Sequence, residues 1–189
     1  MSDPPLENPV PKNMKRKKKG LIMINTGDGK GKTTAALGVA MRSAGNKMKV
    51  FMVQFIKGDW KYGELAAAEK LTPYLEIRPM GEGFTWNTQD RARDIVMTEK
   101  AWELGKEKML TGDYDLVVFD EINYVMDYQY LDVKKVVDAL KKKPPMVHVI
   151  LTGRNAHPDI VALADLVTEM KEIKHPFKEG ILAQKGIEF

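Results

Sequence analysis

Cysteine is absent from all 189 residues. That excludes disulfides, a thiolate nucleophile, a redox dithiol and any thiolate metal site. Histidine is scarce: His148, His157 and His175 do not cluster at metal-ligand spacing, and no chemistry is assigned to them. No apolar run approaches membrane-spanning length. The first nineteen residues, MSDPPLENPVPKNMKRKKK, lack the apolar stretch of a secretory signal, the run Leu21 to Ile24 being too short. The expectation is therefore a cytoplasmic protein without a membrane partner. An excess of positive charge is also missing from most of the chain. Removing the six basic and two acidic residues of the first nineteen from totals of 30 and 26 leaves 24 of each sign. The net charge of +4 thus belongs to a basic tail over residues 1–19. A neutral remainder lacks the basic face that nucleic acid requires, and none is expected as a partner.

What is present is an ordinary globular composition, 43% hydrophobic and 30% charged. It fits one domain over residues 20–189, long enough to bury about two thirds of the surface of the unfolded chain. Short β-rich apolar runs at Leu21 to Asn25, Val50 to Phe55, Leu75 to Arg78, Leu116 to Asp120 and Val147 to Thr152 predict buried strands. Helical stretches are expected at Lys32 to Ser43, Gly63 to Leu71, Asp90 to Leu110, Asp132 to Lys141 and Asp159 to Ala164. Continuous apolar strands alternating with helices imply an α/β fold of three layers around a mainly parallel sheet. In such folds ligands sit beyond the carboxyl ends of the strands.

The strongest signal lies after the first expected strand, in TGDGKGKTTAALG. Glycines let backbone N–H groups turn inward around phosphate oxygens, the following helix presents its positive end, and Lys32 reaches the outer phosphates. The Thr33 hydroxyl is placed to hold Mg²⁺. The usual pattern opens with a glycine where this chain has Thr26. The second component of such a site is a carboxylate ending an apolar strand, and Leu116-Val117-Val118-Phe119-Asp120-Glu121 offers two. Strand alternation would send Asp120 and Glu121 to opposite sides, and spacing leaves open which one meets the metal. Gln54 and Lys57 follow the second strand, and Thr152-Gly153-Arg154 ends the fifth. Arg154 suits either a phosphate or a structural salt bridge. In Gly81-Glu82-Gly83-Phe84-Thr85-Trp86-Asn87 two aromatics sit in a glycine-flanked loop, where they either anchor the loop or face a ligand.

TGDGKGKTTAA, VQFIKG, GFTWNTQ, VVFDEINY, TGRNAHPDI and the closing AQKGIEF occur together and in this order. As a set they resemble the ATP-dependent corrinoid adenosyltransferases, and the likeness covers essentially Gly20 to Phe189. The resemblance implies a P-loop NTPase fold of the recombinase-like kind. It also implies transfer of the 5′-deoxyadenosyl group of ATP to cobalt(I) of a corrinoid, with release of triphosphate. By the same likeness Gly27, Asp28, Gly29, Lys30, Gly31, Lys32, Thr33 and Thr34 embrace the triphosphate, Arg154 joins them, and Glu121 helps Thr33 hold magnesium. Lys32 and Glu121 would be the catalytic pair. Phe84 and Trp86 would lie against the corrinoid and keep its lower nitrogenous ligand off cobalt. A homodimer and an electron donor such as a reduced flavoprotein are further implications.

Two other readings share the phosphate loop. Nucleoside kinases of similar core usually carry a cysteine zinc site, which this chain cannot build. Partitioning ATPases place a signature lysine where this chain has Gly27. If Phe84 and Trp86 serve the corrinoid, replacing either by Ala slows adenosylation of cobalt(II) cobalamin while ATP affinity and melting temperature stay near normal. Cobinamide, which lacks the lower ligand, is less affected. A loop anchor would instead lose about 3 kcal/mol of stability and fail equally on both corrinoids.

Overall fold

The structure, a computed structural model, describes residues 17–58, 62–81 and 90–188. Six strands, β1 (Ile22–Thr26), β2 (Val50–Gln54), β3 (Leu75–Pro79), β4 (Leu116–Asp120), β5 (His148–Thr152) and β6 (Leu166–Glu169), form one sheet. Their order is β3-β2-β4-β5-β1-β6, and every pairing is parallel. The helices are α1 (Lys32–Gly45), α2 (Gly63–Glu69), α3 (Arg91–Thr111), α4 (Ile122–Asp127), α5 (Val133–Lys141) and α6 (Pro158–Val161). The five expected strands are all there, with ends moved by a residue or so. Helix α6 is a single turn, shorter than the stretch to Ala164, because the chain must turn back into β6. Strand β6 and helix α4 are additions. Leu166–Glu169 is a four-residue, solvent-exposed edge strand, too short and too poorly buried for an apolar-run signal.

Strand alternation sorts the core into two layers. Phe51, Val53, Val117, Phe119, Val149 and Leu151 face one side, where Ala101, Trp102 and Met109 of α3 cover them. Val50, Met52, Leu116, Val118 and Ile150 face the other side, under Ala36, Ala40 and Ala44 of α1. The four-residue spacing of those alanines lines one face of α1, and their small size lets the helix lie close to the sheet. On the opposite face α3 does the same at Gly105, where an added Cβ would lie 2.5 Å from the Phe119 ring. Trp102 packs beside that ring, with centroids 5.5 Å apart. Each large side chain buried this way contributes roughly 1.5–3 kcal/mol.

Among the described residues five buried side chains are polar: Gln54, Thr98, Asp120, Asn123 and Thr152. Gln54, Asp120 and Thr152 are the last residues of β2, β4 and β5, and Asn123 is the second residue of α4, just beyond β4. The bodies of β2, β4 and β5 are apolar, and four of these five buried polar residues gather at one end of the sheet. That is the end at which β1 runs into α1.

Candidate active site

The loop Gly27 to Gly31 joins β1 to α1. Gly27 has φ of 91° and Gly31, the N-cap of α1, has φ of 109°, values that L side chains rarely adopt. At Gly27 there is no room either, since an added Cβ would lie 2.5 Å from the Met170 carbonyl oxygen. The Gly29 N–H donates to that same carbonyl at 2.6 Å, so the chain just past β6 backs the loop. Helix α1 starts without a side-chain cap and without an acidic residue in its first turn. Its N-terminal N–H groups and dipole are therefore available to an anion. The ammonium of Lys32 spans the loop, donating to the carbonyls of Gly27 at 2.8 Å and Gly29 at 2.6 Å. Asn25 secures the first turn by donating to the Lys32 carbonyl at 3.2 Å.

Asp120 is the centre of the polar cluster. Its Oδ1 accepts from the Thr33 hydroxyl at 2.8 Å and from the Thr152 hydroxyl at 2.7 Å. Its Oδ2 accepts from Gln54 Nε2 at 3.3 Å. The Thr152 oxygen accepts in turn from the Glu121 N–H at 2.8 Å, which pins the end of β4 to the end of β5. Glu121 does not continue the strand. With φ of 67° it stands in the left-handed region as the N-cap of α4. Strand alternation therefore does not carry past Asp120, and both carboxylates serve the same end of the sheet. A non-glycine residue held there costs of order 1–3 kcal/mol, the kind of strain that gathers at functional sites.

Residues 18–189 match the family described as ATP:corrinoid adenosyltransferase BtuR/CobO/CobP. The chain belongs to that family. A corrinoid adenosyltransferase of Sinorhizobium is 52% identical over 93% of this chain and 83% of its own length. Its counterpart in Pseudomonas aeruginosa is 44% identical over 92% and 86%. The corrinoid adenosyltransferase CobA of Salmonella typhimurium is 43% identical over 92% and 88%. Among solved structures, the flagellar accessory protein FlaH of Methanocaldococcus jannaschii superposes with a TM-score of 0.50 at 15% identity. That superposition covers 79% of this chain and 70% of FlaH, a likeness of fold alone.

In this member of the adenosyltransferase family the remaining expected site residues fall as follows. Asp28, Lys30 and Thr34 lie on the loop and the first turn of α1 with Lys32 and Thr33. Lys30 is ion-paired with Glu188 near the C-terminus. Arg154 extends over the loop from the turn after β5, donating to the Asp28 carbonyl at 3.3 Å, with its Nε 3.8 Å from the Asp28 carboxylate. Both side chains of that long pair are exposed, so its own contribution to stability is small. Phe84 and Trp86 lie outside the described residues. The three histidines each accept a backbone N–H through Nδ1, from Leu21, Asp159 and Phe177. Thr152, Gln54 and Met170 had no assigned role in the sequence. The first two stand at strand ends beside named residues, whereas Met170 acts through its backbone, where no side-chain signal exists.

Burial governs the charges here. It pushes Lys32 below the ordinary lysine value, against the pull of Glu121. It pushes Asp120 upward, opposed by the hydrogen bond from Thr152, by Lys57 and by the hydrogen bonds from Thr33 and Gln54. Glu121 is driven by burial, and then by Asp120 beside it, to about 7, although Lys32, Lys57 and Arg154 draw it down. With about 4.5 in the unfolded chain, the folded protein holds the Glu121 proton more tightly. Stability is then greatest below the unfolded value and falls as pH rises from about 4.5 to about 7. Glu121→Gln, melted in EDTA, is expected to exceed the wild type at pH 8 by on the order of 2–3 kcal/mol, with the gap closing toward pH 4.5. A gap of equal size at both pH values would show that ionisation of Glu121 does not oppose folding.

Proposed function

We propose that this chain transfers the 5′-deoxyadenosyl group of ATP to the cobalt(I) of a reduced corrinoid, forming an adenosylated corrinoid such as adenosylcobalamin and releasing triphosphate. The observation that carries the reading is a loop shaped for polyphosphate, hydrogen-bonded through Thr33 to a buried strand-end aspartate, in a chain of the corrinoid adenosyltransferase family. The cobalt electron pair forms a Co–C bond at C5′ while the C5′–O bond breaks, and that bonding pair leaves with the triphosphate. Negative charge therefore grows on the phosphate nearest the ribose. No protein nucleophile or general base is required.

The protein's task is to hold that leaving group. The N–H groups of the loop and of the first turn of α1, apart from that of Gly29, which is bonded to the Met170 carbonyl, would form with the Lys32 ammonium a fixed electropositive cradle, and such preorganised groups contribute several kcal/mol each to transition-state stabilisation. Lys32 already lies across the loop, so its charge needs little reorganisation to meet phosphate. Arg154, poised over Asp28, adds a guanidinium at the rim.

The donor set fits a magnesium ion. Thr33 donates its hydroxyl hydrogen bond to Asp120, which leaves its oxygen lone pairs free to face a cation. Glu121 is less deeply buried than Asp120 and interacts electrostatically with Lys32. Thr33 and Glu121 would hold the ion, and Asp120 would orient Thr33 from behind. Among the described residues no three acidic or histidine side chains form a metal cage. Two protein oxygens suit Mg²⁺, which keeps waters and takes substrate phosphates as ligands. When bound, the ion supplies positive charge to the phosphates of the departing group.

Phe84 and Trp86 are assigned to the corrinoid, where their rings would exclude the lower axial ligand and ease reduction to cobalt(I). An electron donor such as a reduced flavoprotein, a homodimeric assembly and a cytoplasmic location complete the reading. None of the described helices is long and apolar enough to cross a membrane, which accords with that location. Residues 1–19 are assigned to a basic tail and 20–189 to the catalytic domain.

Phosphorus NMR of the corrinoid-dependent products tests the reaction. Inorganic triphosphate is expected, because the bond broken is at C5′. Formation of ADP and orthophosphate in its place would move the chain to phosphoryl transfer or ATP hydrolysis.

A further inference from the structure

Gln54 is fully buried at the last position of β2, in register with Asp120 on β4. Its Nε2 lies between two carboxylates, 3.3 Å from Asp120 Oδ2 and 3.4 Å from Glu64 Oε1. This placement sets the orientation of the amide, since the reverse would aim its oxygen at two acceptors. Glu64, in the first turn of α2, is ion-paired with Lys57, whose ammonium also sits 4.6 Å from the centre of the Tyr62 ring. The Gln54 Oε1 is buried with no hydrogen-bond partner among the described residues. An unsatisfied buried acceptor opposes folding, and an unbranched apolar side chain would remove that cost only by leaving Asp120 Oδ2 without its donor. The amide is therefore explained by its nitrogen, which engages the Asp120 carboxylate, and not by its oxygen. Asp120 has one oxygen engaged by Thr33 and Thr152 and the other by Gln54. Without Gln54 the carboxylate is held through Oδ1 alone, and its soft terminal torsion is less tightly fixed.

We propose that Gln54 is a positioning residue for the nucleotide site. Braced by the Lys57–Glu64 ion pair, its amide fixes the Asp120 carboxylate in the orientation that accepts the Thr33 hydroxyl hydrogen bond, and so aims the Thr33 oxygen at a divalent ion on the triphosphate. The inference rests on the assignment of ATP and magnesium to this loop. It extends the metal site beyond the loop and the strand-end acids to the VQFIKG segment and to α2.

The test is calorimetric titration of ATP into the full chain without corrinoid, once with Mg²⁺ and once with EDTA, alongside a melting curve. Gln54→Met is expected to stay folded with a melting temperature lowered by a few degrees, because Asp120 Oδ2 loses its donor, and to bind ATP in EDTA within about twofold of wild type. It should lose about tenfold or more of the affinity that Mg²⁺ adds, the range typical of residues that orient a metal ligand. Combined with Thr33→Val it should cost little beyond Thr33→Val alone, because both act through one oxygen. Glu64→Gln, which keeps the side-chain volume, should lose part of the same increment and gives an independent reading should Gln54→Met fold poorly. Full retention of the Mg²⁺ increment in Gln54→Met, or in Glu64→Gln where only that variant folds, overturns the role of Gln54. Losses of equal size with Mg²⁺ and with EDTA, following a fall in melting temperature, overturn it as well. If wild-type binding is itself indifferent to Mg²⁺, the metal assignment falls, and the Gln54 role falls with it.

Discussion

The structure turns on one hydrogen bond, from the Thr33 hydroxyl to the buried carboxylate of Asp120. It joins the start of α1 to the end of β4, although β1, the strand that leads into α1, is separated from β4 in the sheet by β5. A carboxylate in so apolar a setting is tolerated only if its oxygens are engaged, and here Thr33, Thr152 and Gln54 engage them. Each donor comes from a different element, so satisfying Asp120 brings α1, β5 and β2 into one register at the end of the sheet. The apolar layers on either face make that register rigid, since Phe119 and Val117 on one side and Val118 on the other leave β4 no room to slide.

The same constraint shapes the chemistry. Asp120 fills the space behind Thr33, and Glu121, turned into the left-handed region, comes forward from the strand end rather than alternating away. Glu121 is raised first by its burial and then by that crowding, since two carboxylates side by side disfavour each other's charge. A divalent ion or the Lys32 ammonium relieves the conflict. Such a site is costly to fold, and in the proposed reading that cost is offset when a cation-bound polyphosphate occupies it.

Much of this was legible in the sequence. Five strands, the phosphate loop and the acidic strand end follow from apolar runs and from glycine and lysine spacing, because local backbone demands dictate those residues. The motif set from TGDGKGKTTAA to AQKGIEF carried the family. The relation between Asp120 and Glu121 was not legible, because it depends on a reversal of φ that neither residue type announces. Strand β6 was missed because four exposed residues carry no periodic burial. The support that Met170 gives the loop was hidden too, since a carbonyl is common to every residue. Gln54 stood out only as a polar residue ending an apolar run, and its partners at Glu64 and Asp120 come from pairing across the sheet and from α2.

The central claim is that this loop stabilises a departing triphosphate through Lys32. Purified Lys32→Ala, incubated with ATP, magnesium and chemically reduced cobalamin and followed in the visible spectrum, tests it most directly. Circular dichroism serves to verify the fold. The account predicts a normal melt with adenosylation slowed by on the order of a hundredfold or more, corresponding to loss of roughly 3 kcal/mol of transition-state stabilisation. Adenosylation within a few fold of wild type by the folded variant would contradict it.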